Sequence, residues 1–195
     1  PANAPTKPGR QKPSVPVARR GGVSTLAASQ HPHQPPRSRM KTYAQLIAQT
    51  QARVREIMPW DLRERLDSGS APLLLDVREP GEFALAHIAG ALNVPRGVLE
   101  ASCDWGYDET EPQLVAARQR SVVVICRSGN RSILAADVLQ QMGYTDVVSL
   151  KTGVRGWNDF EQALINGGGQ AVDTDTAEPL LAARVRPDQR GPRQG

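Results

Sequence analysis

Sulfur and aromatic rings are both scarce in this sequence. Two cysteines, Cys103 and Cys126, stand among 195 residues, and Phe, Trp and Tyr together make up 4%. With no Cys-x-x-Cys pair and three scattered histidines, neither a disulfide framework nor a structural zinc site can be assembled. Two lone thiols favour a reducing compartment. Long apolar runs are missing too. Nothing approaches the roughly 18 residues that a spanning helix requires, and no succession of basic, apolar and small residues marks a secretory signal. The chain therefore reads as soluble, with the cytoplasm as its default compartment and an organelle address in the N-terminal arm as the alternative.

Acidic residues are absent from the first 55 positions, which hold ten Lys or Arg. Residues 56–169 hold ten basic and sixteen acidic residues, a balance of −6, and residues 170–195 hold four of each. The net charge of +4 thus belongs to the N-terminal arm, and no basic globular face for nucleic acid follows from it. Eight of the sixteen prolines fall within the first 36 residues, so this arm can neither propagate a helix nor bury enough apolar area to offset its ordering entropy. Residues 1–40 read as a disordered basic arm. Met40 stands where the pattern changes, and a native chain starting there is one expectation, which intact mass would test.

What is present is periodic. Tyr43, Leu46, Ile47, Val54 and Ile57 recur at helical spacing behind Thr42 as N-cap, which predicts an amphipathic helix over 41–57 packed on the domain that follows. Short helices are predicted at 61–66, 79–85, 130–142 and 154–164, and strands at 72–77, 91–94, 121–126 and 146–150. Strands that read as continuous apolar runs between helices imply an α/β domain over 56–166, a parallel sheet with helices on both faces. Residues 167–195, opening on Gly167-Gly168-Gly169 and holding Pro179 and Pro187, read as a flexible tail.

In such a sheet, ligands bind beyond the carboxyl ends of the strands. The strongest strand, Ser121 to Cys126, runs straight into Arg127-Ser128-Gly129-Asn130-Arg131-Ser132 and a helix. Loop amides, a helix N-terminus and two guanidinium groups together form an anion cradle, and each stabilises a thiolate at Cys126. A cysteine ending an apolar strand is ordinarily a small buried hydrophobe. That alternative does not explain the Arg, Ser, Gly, Asn and Arg that follow.

Cys126-Arg127-Ser128-Gly129-Asn130-Arg131-Ser132 resembles the active-site loop of the rhodanese superfamily. Asp76-Val77-Arg78-Glu79-Pro80-Gly81-Glu82-Phe83 resembles the family's Asp-Val-Arg-x-x-x-Glu-Phe signature, Ala86 to Pro95 its Gly-His-Ile-x-Gly-Ala-x-Asn-x-Pro segment, and Gly153 with Trp157 its closing Gly-Gly-x-x-x-Trp. These four motifs occur in the family's order across roughly 56–160. Ala86 and Thr152 replace two of its glycines.

The resemblance implies a small rhodanese domain acting as a sulfurtransferase without cofactor. Cys126 would take a sulfane sulfur from thiosulfate or a persulfide and pass it to cyanide, a thiol or a sulfur-acceptor protein. Arg131 and Arg127 would orient the anionic donor, while Ser128, Gly129, Asn130 and Ser132 would contribute mainly backbone amides. Asp76 and Arg78 would lock the loop scaffold rather than touch substrate. His87 and Trp157 read as structural and Cys103 as incidental. Two rivals stand beside this reading: a non-catalytic binding module of the same fold, and a cysteine phosphatase or arsenate reductase. The latter families use Cys-x5-Arg, whereas the spacing here is Cys126-x4-Arg131.

Overall fold

Five parallel strands form one sheet in the order β1-β5-β4-β2-β3: β1 Arg55–Ile57, β2 Leu73–Asp76, β3 Leu92–Asn93, β4 Ser121–Ile125 and β5 Asp146–Leu150. The structure is a computed structural model and describes residues 40–69 and 71–190. The arm at 1–39, including the disorder expected there, lies outside the described residues. Among the described residues no helix is long and apolar enough to cross a membrane.

Side-chain alternation along the strands builds two apolar layers. Val122, Val124 and Cys126 point to one face with Leu73, Leu75 and Val77, under the helices α1 (Tyr43–Gln51), α4 (Leu99–Ser102) and α6 (Asn130–Gln141). Val123 and Ile125 point to the other with Leu74, Val148 and Leu150, against α2 (Pro59–Asp67), α7 (Gly153–Asp159) and α8 (Thr174–Leu181). The short helices α3 (Pro80–Leu85) and α5 (Pro112–Val115) lie in the connections. Both faces of the central strands are covered, which is why those strands read as unbroken apolar runs. The same period of two sets Cys126, one residue past β4, on the α6 side.

Three expected elements differ. The helix predicted over 41–57 stops at Gln51, and Arg55–Ile57 becomes β1, whose backbone pairs with Val148–Leu150. Val54 and Ile57 satisfy a helical stripe and a strand edge equally, and the open edge of β5 decides between them. Thr42 does cap α1, accepting from the Gln45 amide at 3.2 Å. The helix expected over 154–164 ends at Asp159; Glu161 takes a positive φ of 54° and Leu164–Ile165 (β6) pairs with Ala171–Val172 (β7). The segment 167–195, expected as a flexible tail, contains β7 and α8. Asp173 caps α8 on the Thr176 amide at 2.8 Å, and Ala177 and Leu181 are buried in the second layer. Glycine and proline suggested a tail, but two apolar side chains four residues apart anchor a helix there.

Candidate active site

The loop after β4 is held open by the turn before α7. Amides of α7 take the carbonyls of the loop: Val154 N donates to the Cys126 oxygen at 2.9 Å and Arg155 N to the Arg127 oxygen at 3.0 Å. These two carbonyls are thereby engaged by α7, and the first amides of α6, which have no partner within their helix, follow directly after them. Gly153 permits this approach, since a Cβ there would lie 2.2 Å from the Cys126 oxygen, at a positive φ of 61°. Thr152, where the motif has glycine, keeps the left-handed turn at φ 65° despite its branched side chain. Its side chain fits because Gly156 presents none: a Cβ on Gly156 would stand 1.7 Å from Thr152 Oγ1.

Cys126 is 1% exposed and lines a cavity of about 320 Å³ together with Tyr43, Glu82, Arg127, Ser128, Asn130 and Arg131. Its Sγ accepts from the Gly129 amide at 3.2 Å and lies 3.4 Å from Ser132 Oγ. Gly129 turns the chain into α6 at a φ of 95°, a conformation that costs glycine nothing. The Ser132 side chain is buried behind the sulfur, where its hydroxyl donates to the Gly129 oxygen at 2.9 Å and meets Ser149 Oγ at 2.9 Å. Being only three residues into α6, it faces the sheet instead of the loop's open side.

Neither arginine is free. Arg131 forks onto Glu82, both contacts at 2.7 Å, and Arg127 Nη1 donates to the Ala182 oxygen at the end of α8 at 3.3 Å. The Arg131 guanidinium holds the Glu82 carboxyl below its ordinary range, against the opposing pull of burial. Glu82 and Tyr43 line the cavity without having been singled out in the sequence. Glu82 was legible as the acid of the Asp-Val-Arg-x-x-x-Glu-Phe motif, whereas Tyr43 was legible only as part of a helical apolar stripe, because only the packing of α1 on α6 brings it there.

Asp76 and Arg78 lie outside the cavity, fully buried as an ion pair with contacts of 2.7 to 3.0 Å. Arg78 also donates to the Ala86 oxygen at 2.8 Å and reaches the Glu82 backbone oxygen at 3.4 Å, tying the end of β2 to α3. His87 hydrogen-bonds the Phe83 oxygen at 2.9 Å through Nδ1 and stacks on the Phe83 ring; Trp157 is core. Cys103 is buried in the first layer, where desolvation pushes its thiol pKa up.

Residues 58–160 match the model of the rhodanese-like domain, and the chain belongs to this family. The chain is 34% identical over 104 residues to a sulfurtransferase of Allochromatium vinosum, a match covering 53% of this chain and 88% of that protein. It is 33% identical over 101 residues to the probable adenylyltransferase/sulfurtransferase MoeZ of Mycobacterium tuberculosis, covering 52% of this chain but only 24% of MoeZ. The chain thus spans about a quarter of the length of that relative. The human single-domain sulfurtransferase TSTD1 superposes with a TM-score of 0.50 at 27% identity, over 56% of this chain and 99% of that one. These relatives support rhodanese-type sulfur transfer as the activity class at the level of the family.

Proposed function

We propose that the protein is a sulfurtransferase that carries sulfane sulfur as a Cys126 persulfide. The observation that carries this reading is the placement of Cys126 Sγ, which accepts from the Gly129 amide, at the floor of a cavity that the Arg127 and Arg131 guanidinium groups also line. In the first half-reaction the thiolate attacks the outer sulfur of thiosulfate. A Cys126–sulfur bond forms, the sulfur–sulfur bond of the donor breaks, and its electron pair leaves with sulfite. In the second half-reaction cyanide or a thiolate attacks the outer sulfur of the persulfide, releasing thiocyanate or a new persulfide and restoring the Cys126 thiolate. This is covalent ping-pong catalysis with no net redox change. Gly129 N would stabilise the sulfur anion in both states, with Ser132 fixing the loop beneath it. Arg131 would meet the donor anion while sharing its charge with Glu82. The name of another relative, a putative sulfur carrier protein of Bacillus subtilis, supports a protein acceptor beside the small ones.

Intact mass after incubation with thiosulfate tests the reading. The parent should gain about one sulfur atom, lose it to cyanide, and show no gain as Cys126→Ser. A folded parent with reduced Cys126 that gains nothing from thiosulfate or from a persulfide would instead be a binding module. Turnover of an aryl phosphate that disappears in Cys126→Ser would favour the phosphatase reading, against which the four-residue spacing to Arg131 argues.

A further inference from the structure

One wall of the Cys126 cavity comes from outside the matched region 58–160. Tyr43 opens α1, and it lines the cavity with Glu82, Arg127 and Arg131. α1 is not a loose appendage. Ile47 and Thr50 are buried, and Arg53, just past the helix, forks across both carboxylate oxygens of Asp137 at 2.9 Å. Asp137 sits on α6, whose first turn is the end of the site loop. A segment clamped along α6 in this way delivers its own first turn to the cavity mouth.

Depth divides the cavity chemically. Cys126 is 1% exposed and Tyr43 54%, so the sulfur lies at the floor and the phenol at the rim. A donor whose outer sulfur meets Cys126 must point its remaining group toward the rim. At that rim Arg131 already pairs with Glu82, and Arg127 is engaged with Ala182. Partial burial, then the nearby Cys126 sulfur, raises the Tyr43 pKa above its ordinary 10.0, with Arg131 opposing. The phenol therefore keeps its proton at neutral pH and is a hydrogen-bond donor.

Resting on the sulfurtransferase reading, we propose that Tyr43 is a specificity-determining residue whose hydroxyl donates to the oxyanion of the departing group, favouring sulfonate-type donors such as thiosulfate over alkyl persulfides. As the sulfur–sulfur bond of thiosulfate breaks, its electron pair passes to the SO₃ group, and negative charge grows on the oxygens that the phenol would meet. A hydrogen bond that strengthens in this way raises the rate of the step and not merely the affinity. An alkyl persulfide releases a thiolate instead. Its sulfur is a weak acceptor and offers no oxygen at the rim.

Persulfide formation is measured on parent, Tyr43→Phe and Leu46→Ala with two donors, thiosulfate and ethyl persulfide, alongside thermal melts. Leu46 is exposed on the same helix and serves as the control for α1 itself. Tyr43→Phe should lose about tenfold in kcat/KM with thiosulfate, mostly in kcat, and less than about twofold with ethyl persulfide. Leu46→Ala should match the parent with both. Equal losses with both donors, or no loss with thiosulfate, overturn the assignment. So does a parent that takes sulfur from ethyl persulfide but not from thiosulfate. A parent that takes sulfur from neither refutes the sulfurtransferase reading itself.

Discussion

Replacing Gly156 by alanine in α7 should be costly, and the cost should vanish when Thr152 is also replaced by glycine. In a helix the exchange of Gly for Ala ordinarily stabilises by about 0.5–1 kcal/mol. Here the new Cβ would stand 1.7 Å from Thr152 Oγ1 and 2.4 Å from Thr152 Cβ. Rotating the threonine relieves the first contact but not the second, because both Cβ positions are set by the backbone. Displacing the turn by the ångström or more required is overpacking, and a net loss of about 2–3 kcal/mol is expected. Thr152→Gly alone relieves a left-handed threonine, about 1–2 kcal/mol, and gives back about 0.5–1 kcal/mol in chain entropy, so it should be neutral or mildly stabilising. In the double variant both clashing atoms are gone, and the next nearest neighbour of the added methyl is Pro59 Cγ at 3.5 Å, an ordinary contact. Urea unfolding followed by circular dichroism should therefore show a coupling energy of about 2.5–4 kcal/mol between the two sites, the net loss plus the ordinary Gly-to-Ala gain regained. Additivity within about 0.5 kcal/mol would refute the argument, as would a Gly156→Ala variant as stable as the parent.

The remaining predictions concern charges. Asp76→Asn strands the buried Arg78 guanidinium, and a loss of about 3–5 kcal/mol is expected in the same unfolding assay; an unchanged midpoint would mean that the pair is not what ties β2 to α3. Glu82, held by Arg131 below its ordinary 4.5, contributes stability that is fully present above that value and is lost as pH falls through the lower folded value. The stability difference between parent and Glu82→Gln should therefore be constant above pH 4.5 and shrink below it. Because both side chains are about one-third exposed, that difference should stay below about 1 kcal/mol, and a difference that grows on acidification would contradict the assigned pair.

Local pattern was enough for the central architecture. Leu73–Asp76, Ser121–Ile125 and Asp146–Leu150 are apolar runs that only a doubly covered parallel sheet accommodates, and the residues after Cys126 are those of an anion cradle. Both properties are written in consecutive residues, so they survive without knowledge of the fold. What depended on distant partners could not be read this way. Arg55–Ile57 is a strand because β5 offers it an edge, α8 forms because Ala177 and Leu181 find an apolar layer, and Ser132 serves the loop through Ser149, a residue of the neighbouring strand. The charge of Arg131 looked free until Glu82, 49 positions away, was brought against it. Sequence alone determined four of the five strands and the Cys126 loop, since short-range pattern encodes them. Tertiary structure decided how that loop is walled and charged, since Tyr43, Glu82 and Ala182 reach it only through packing between elements that share no local signal.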